Sequence, residues 1–222
     1  DVAVHVGTLL AVLVYFRHEL IGLVKAWREA PDDDVTLQRR RIGLGLVVGT
    51  IPVVLAGALF YDLIADSLRN VKVIAIATIV FGIALLLADR LSPRFRGLRE
   101  LRLSHALWIG IAQALALIPG TSRAGATLTM GRLLGFTPDA AARFSFLLSI
   151  PVIGAAGLRG GWELLTGGPG LDWQPFLVAV VFAALAGWVC IAAFLALLAR
   201  VGLLPFILYR LALGLVLLGI AL

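Results

Sequence analysis

From Phe176 to Ala199 the sequence reads "FLVAVVFAALAGWVCIAAFLALLA", with no charged side chain. Runs of this length cross about 30 Å of hydrocarbon as a helix. Because lipid offers the backbone no hydrogen-bond partner, a crossing segment has to satisfy its own N–H and C=O groups. The remaining composition agrees: 61% of residues are hydrophobic and 14% charged, against about 25% charged in soluble domains. Mean hydropathy is +1.02. The expected fold is all-α, a polytopic membrane helical bundle forming one integral membrane domain over residues 1–222, with no room for a second soluble domain.

Hydrophobic length predicts six spans: Val2 to Phe16 (running on toward Val24), Ile42 to Phe60, Val71 to Ala88, Pro138 to Leu158, Phe176 to Ala199 and Leu203 to Leu222. A further apolar stretch, Ser104 to Leu134, is interrupted at Pro119–Arg123. The net charge of +6 does not point to nucleic acid, because the basic residues gather in two loops. Arg17, Lys25, Arg28, Arg39, Arg40 and Arg41 follow the first span, and Arg90, Arg94, Arg96, Arg99 and Arg102 follow the third. The alternate loops hold Arg69 and Lys72, or Arg159 alone. Basic loops mark the cytoplasmic side. That rule holds throughout only if Ser104–Leu134 dips into the membrane and returns, placing Arg159 outside and Arg200 inside. Each half of the stretch is also too short to span at 1.5 Å per residue. The prediction is a re-entrant helix pair over about residues 104–135.

The interruption, "ALIPGTSRAGATLTMG", carries unusual chemistry. Pro119 lacks an amide hydrogen and disfavours helix before it, so the first half-helix should stop near Ile118. Gly120 permits a turn, and Thr121 or Ser122 can cap a second half-helix. The free amides of that first turn need protein, water or a ligand, and helix N-termini of this kind bind phosphate. Arg123 adds a planar fork suited to phosphate oxygens. An intramembrane cation is by default a functional candidate. Gly125, with Gly131 and Gly135, leaves one face small for close helix approach.

Other candidates carry less. His5 reads as a buried or interfacial histidine, and His18 and His105 lie at span ends. The acidic run Pro31–Asp34 reads as a solvated loop, and Gly45/Gly49 as helix packing. Trp27, Trp108, Trp162 and Trp173 read as interfacial anchors. Cys190 has no partner for a disulfide. Glu19, Glu29, Glu100 and Glu163 all lie at or near loops, so no intramembrane carboxylate pair is evident.

"PGTSRAGAT", Pro119 to Thr127, resembles the Pro-Gly-x-Ser-Arg-Ser-x-x-Thr signature of the bacterial undecaprenyl-diphosphate phosphatases, the bacitracin-resistance family of cell-wall synthesis. "DVAVHVGTLLAVLVYF", "GIAQALALIPG", "AARFSFLLSIPVIGAAG" and "PFILYRLALGLVLL" resemble other family segments, so the likeness runs over essentially the whole chain. Two departures stand out. Ala124 replaces the second serine of the signature. The family's Glu-x-x-x-Glu segment, in a first re-entrant hairpin, has no counterpart here, and the chain is expected to be the family protein without that hairpin.

The resemblance implies an inverted-repeat architecture in the bacterial inner (plasma) membrane, with the active site facing the periplasm. It implies hydrolysis of undecaprenyl diphosphate to the monophosphate carrier lipid, assisted by a divalent cation, Mg²⁺ or Ca²⁺. Arg123 would bind the diphosphate, and Ser122 would be a phosphate ligand or candidate nucleophile. Gly120, Thr121 and Gly125 would cradle phosphate oxygens, Thr127 would orient the loop, and Gln113 would support the turn. No metal ligand is expected in this chain, because the metal-binding carboxylates belong to the absent segment. The chain alone is therefore expected to hydrolyse little. Expected partners are a polyprenyl diphosphate lipid and the membrane, with a homodimer as the candidate assembly and no nucleic acid. The alternative is a polyprenyl-phosphate transporter or flippase, since paired re-entrant hairpins also suit alternating access.

Overall fold

The computed structural model describes residues 2–30, 32–67, 70–166 and 173–221, with side chains of 61–67 and 158–166 left out. Pro31, Arg69 and the side chains of Arg159, Trp162 and Glu163 lie outside that description. Among the described residues the structure is helical: α1 Val2–Tyr15, α2 Arg17–Ala26, α3 Asp34–Ser67, α4 Val71–Leu91, α5 Leu103–Ala114, α6 Arg123–Leu133, α7 Pro138–Thr166, α8 Trp173–Val201 and α9 Leu204–Ala221. Five are long and apolar enough to cross a membrane. The predicted first span, Val2 to Phe16, is α1, and its continuation toward Val24 is a separate helix, α2, bent from it by 72°. The hinge is Phe16, fully buried against Tyr15 and Phe146. Helix α3 starts eight positions before the predicted span at Ile42, because Asp33 caps it through the Thr36 N–H at 2.6 Å. Hydrogen bonds from the Thr36 side chain and amide hold the Asp33 carboxyl below its usual pKa.

Packing falls into two compact units, Asp1–Arg40 with Phe146–Ala196, and Arg41–Ser145 with Leu197–Leu222. In the first, α1 lies close on α8. A Cβ at Gly7 would stand 2.5 Å from the Val180 carbonyl oxygen, and one at Gly187 3.0 Å from Ala11. Arg40 ends α2 by donating to the carbonyls of Ala26 at 2.7 Å and Glu29 at 2.6 Å, with its guanidinium over Trp27. His5 is exposed on α1 rather than buried. Cys190, on α8, is exposed too.

In the second unit α4 packs on α9 through small residues, Gly82 against Leu211 and Gly214 against Ile79. Gly49 of α3 meets Gly110 of α5 backbone to backbone. Helices α5 and α6 form the predicted helix pair, at 12 and 11 residues or about 18 and 16 Å. The first helix ends earlier than Ile118: α5 stops at Ala114, and one 3₁₀ turn, Leu115–Leu117, tightens the approach to Pro119. The pair returns to the level at which it enters. Residues just before α5 and just after α6 hydrogen-bond to each other, Arg96 N–H to the Gly135 carbonyl at 3.0 Å and Thr137 N–H to the Arg96 carbonyl at 2.9 Å. His105, three residues after the Arg102 cap, accepts from the Arg102 N–H at 3.3 Å and stacks edge-on against Phe136.

Gly135 does not serve helix packing as expected. Its φ of +85° ends α6 in a Schellman motif, with Phe136 N–H bonded to the Gly131 carbonyl and Gly135 N–H to that of Arg132. Arg132 is 0% exposed. Its Nε donates to Asp89 Oδ1 at 2.9 Å, and its other nitrogens donate to the carbonyls of Pro93, Phe136, Asp89 and Ser92. The mouth of the hairpin is thereby fastened to the end of α4.

Arg132→Met would leave the Asp89 carboxylate buried without this cation. A destabilisation of about 3–5 kcal/mol is expected, measured by thermal unfolding in detergent. Asp139→Asn, which breaks the exposed pair with Arg143, should cost less than about 1 kcal/mol. Equal losses from the two would refute the clamp.

Candidate active site

The tip of the α5–α6 hairpin gathers Gly120, Thr121, Ser122, Arg123, Gly125 and Thr127 inside the second unit. Gly120 has φ +92° and presses on α4, where a Cβ would lie 2.3 Å from the Ile74 carbonyl oxygen. Thr78 of α4 donates to the Gly120 carbonyl at 3.1 Å. Ser122 is the N-cap of α6, with φ 63°, and its Oγ accepts the Gly125 N–H at 3.2 Å. The amides of Arg123 and Ala124 have no acceptor within their own helix.

Arg123 leans toward α7, where Nη2 donates to the Ser145 carbonyl at 3.3 Å. Thr127 braces the same contact, its Oγ1 lying 2.7 Å from Ser145 Oγ and 3.0 Å from the Arg123 carbonyl. Thr127, expected to orient the loop, here contacts Ser145, a residue with no signal of its own in the sequence.

A second guanidinium meets the turn. Arg210, on α9, donates from Nη2 to the carbonyls of Gly120 at 3.1 Å and Thr121 at 2.8 Å. Gly125 makes the room: a Cβ there would stand 2.4 Å from Arg210 Nη1. The sequence reading passes over Arg210, although an arginine within an apolar span is the same signal that singles out Arg123.

Buried polar atoms in proteins are nearly always hydrogen-bonded. Here Arg123 Nη1, Thr121 Oγ1, Arg210 Nε and both amide atoms of Gln113 are buried with no partner among the described residues. Gln113 and Thr121 are each 0% exposed. Gln113 thus makes no hydrogen bond to the turn it was expected to support. The unpaired groups are guanidinium nitrogens, a hydroxyl and an amide, set beside a helix N-terminus. Such groups are mostly donors, a chemistry suited to an anion. A cation is a poor match, and among the described residues no three of His, Cys, Asp and Glu come together.

Residues 1–216 match the family described as bacitracin resistance protein BacA. An undecaprenyl-diphosphatase of Chromohalobacter salexigens is 48% identical over 218 residues, covering 98% of this chain and 82% of the relative. One from Alteromonas mediterranea is 47% identical with the same coverage. Undecaprenyl-diphosphatase 1 of Pseudoalteromonas translucida is 45% identical over 214 residues, 96% of this chain and 80% of its own length.

Gly120→Ala combines a left-handed backbone with a collision against α4. It is expected to cost at least about 1–3 kcal/mol in thermal unfolding. Gly154→Ala, with open space around it, should have no such cost. A Gly120→Ala protein as stable as the wild type would show that the tip does not lie against Ile74.

Proposed function

The chain belongs to the bacitracin resistance protein BacA family, and on that premise we propose how it works as an undecaprenyl-diphosphatase. Water and undecaprenyl diphosphate give undecaprenyl phosphate and inorganic phosphate, returning the cell-wall carrier lipid to its monophosphate form. The hairpin tip binds the diphosphate. What carries this assignment is the set of buried donors without protein partners at the tip, with Arg123 Nη1 and Thr121 Oγ1 the most telling.

Arg123 and the first amides of α6 face the diphosphate oxygens and offset the charge that builds on them as the P–O bond breaks. Donors fixed in advance in a water-poor site do this without reorganising. Arg210 holds the carbonyls of the turn, which points the amides of that turn toward the ligand, and its charge adds to the attraction. Ser122 acts as cap and phosphate ligand, its Oγ engaged by the Gly125 amide. Thr127 and Ser145 fix the reach of Arg123.

A divalent cation, Mg²⁺ or Ca²⁺, is the expected cofactor of this chemistry. The tip residues are anion donors and do not fit a metal, so no step here runs through one.

The protein is a multi-pass membrane protein, and the finer placement follows from charge. The mouth of the hairpin opens beside the arginine-rich segment Arg90–Arg102. By the positive-inside rule this end faces the cytoplasm of the inner membrane, and the tip then serves the periplasmic half.

In purified protein, Arg123→Ala is expected to lower phosphate release from undecaprenyl diphosphate by at least about 10²–10³-fold. Arg123→Lys should stay poor because the fork is lost. Ser122→Ala should weaken the cap by about 1 kcal/mol and keep measurable turnover. An Arg123→Ala enzyme of near-normal rate would overturn the assignment, as would lipid translocation without phosphate release, the behaviour of a flippase.

A further inference from the structure

The second unit holds another site, at the opposite end of α6 from the tip. A cavity of about 510 Å³ opens where the end of α4, the start of α7 and the α8–α9 turn come together. Three arginines line it: Arg90 in the last turn of α4, Arg94 just beyond, and Arg200 in the last turn of α8. Its carboxylates, Asp89 and Asp139, are already engaged, Asp89 by Arg132 and Arg94 and Asp139 by Arg143. Among the described residues Arg90 and Arg200 have no carboxylate partner. The field inside the cavity is therefore positive. The rest of the lining is largely apolar, with Leu198, Leu203 and Leu204 at the α8–α9 turn.

We propose that this cavity binds the headgroup of an anionic glycerophospholipid, its phosphate between Arg90 and Arg200 and the start of its acyl chains along the leucines. Three observations select a lipid over a free anion. The arginines sit at the ends of membrane spans, the level at which lipid phosphates lie. Apolar side chains adjoin the cations, which an inorganic ion has no use for. Basic pockets between spans on the basic-loop side are the usual place for anionic headgroups. The site is separate from the tip: Arg132, beside the cavity, and Arg123 are nine residues apart on α6, about 14 Å along the helix.

The test is native mass spectrometry of the whole detergent-solubilised protein, titrated with short-chain phosphatidylglycerol, with phosphatidylcholine and with inorganic phosphate. Wild type should retain phosphatidylglycerol in preference to phosphatidylcholine, and millimolar phosphate should not displace it. Each basic residue near an anionic surface contributes a factor of about five, so Arg90→Gln/Arg200→Gln should weaken phosphatidylglycerol binding roughly 25-fold. Arg90→Lys/Arg200→Lys should retain most of it. Arg41→Gln/Arg99→Gln, which removes the same charge outside the cavity, should retain nearly all of it. The proposal fails if the glutamine pair at 90 and 200 binds as wild type does, or if the pair at 41 and 99 loses as much. Displacement by inorganic phosphate alone would also overturn it, marking a free-anion site.

Discussion

Arg132 is the fastening on which the α5–α6 hairpin depends. A guanidinium with no solvent exposure is costly unless every donor finds an acceptor. Here one carboxylate and four backbone carbonyls supply them. These acceptors come from the end of α4, the loop after it and the residue following the Schellman turn. The α6 leg is thereby tied to the end of α4, and the backbone bonds of Arg96 with Gly135 and Thr137 join it to the loop that leads into α5. Two helices too short to cross a membrane are held as one wedge.

The tip has the opposite electrostatic character. At the mouth Arg132 is matched by Asp89; at the tip, among the described residues, neither Arg123 nor Arg210 has a carboxylate partner. Their contacts are carbonyl oxygens and open positions. Two like charges in a poorly solvated place repel, and partial negative charge on carbonyls answers only part of it. On the proposed reading a diphosphate brings the compensating charge, and binding it relieves a cost built into the folded protein. This is the same logic by which preorganised donors favour a charged transition state over neutral alternatives.

Much of this was readable from the chain. The apolar spans, the break at Pro119 and a cap at Thr121 or Ser122 follow from hydropathy and proline chemistry, and the structure selects Ser122. What escaped reading has physical reasons. Asp89 and Arg132 lie 43 positions apart, and each looks like an ordinary loop-edge charge until the fold joins them. Arg210 lacks the neighbouring proline and glycine that draw attention to Arg123, so its apolar helix hides it. The early start of α3 lies in a polar stretch whose arginines are good helix formers, a property hydropathy does not record. The bend at Phe16 comes from burial of one aromatic ring, not from any breaker residue.

Helix α4 touches both ends of the wedge, through Asp89 at the mouth and through Ile74 and Thr78 at the tip. Eleven residues separate Thr78 from Asp89, about 16 Å of helix, comparable to the length of α6. It therefore works as a gauge for the distance between mouth and tip. The distance from headgroup level to the turn is written into a continuous helix outside the hairpin, not left to lipid thickness. In a thinner or thicker bilayer this spacing stays the same, and the surrounding lipid has to adapt to it.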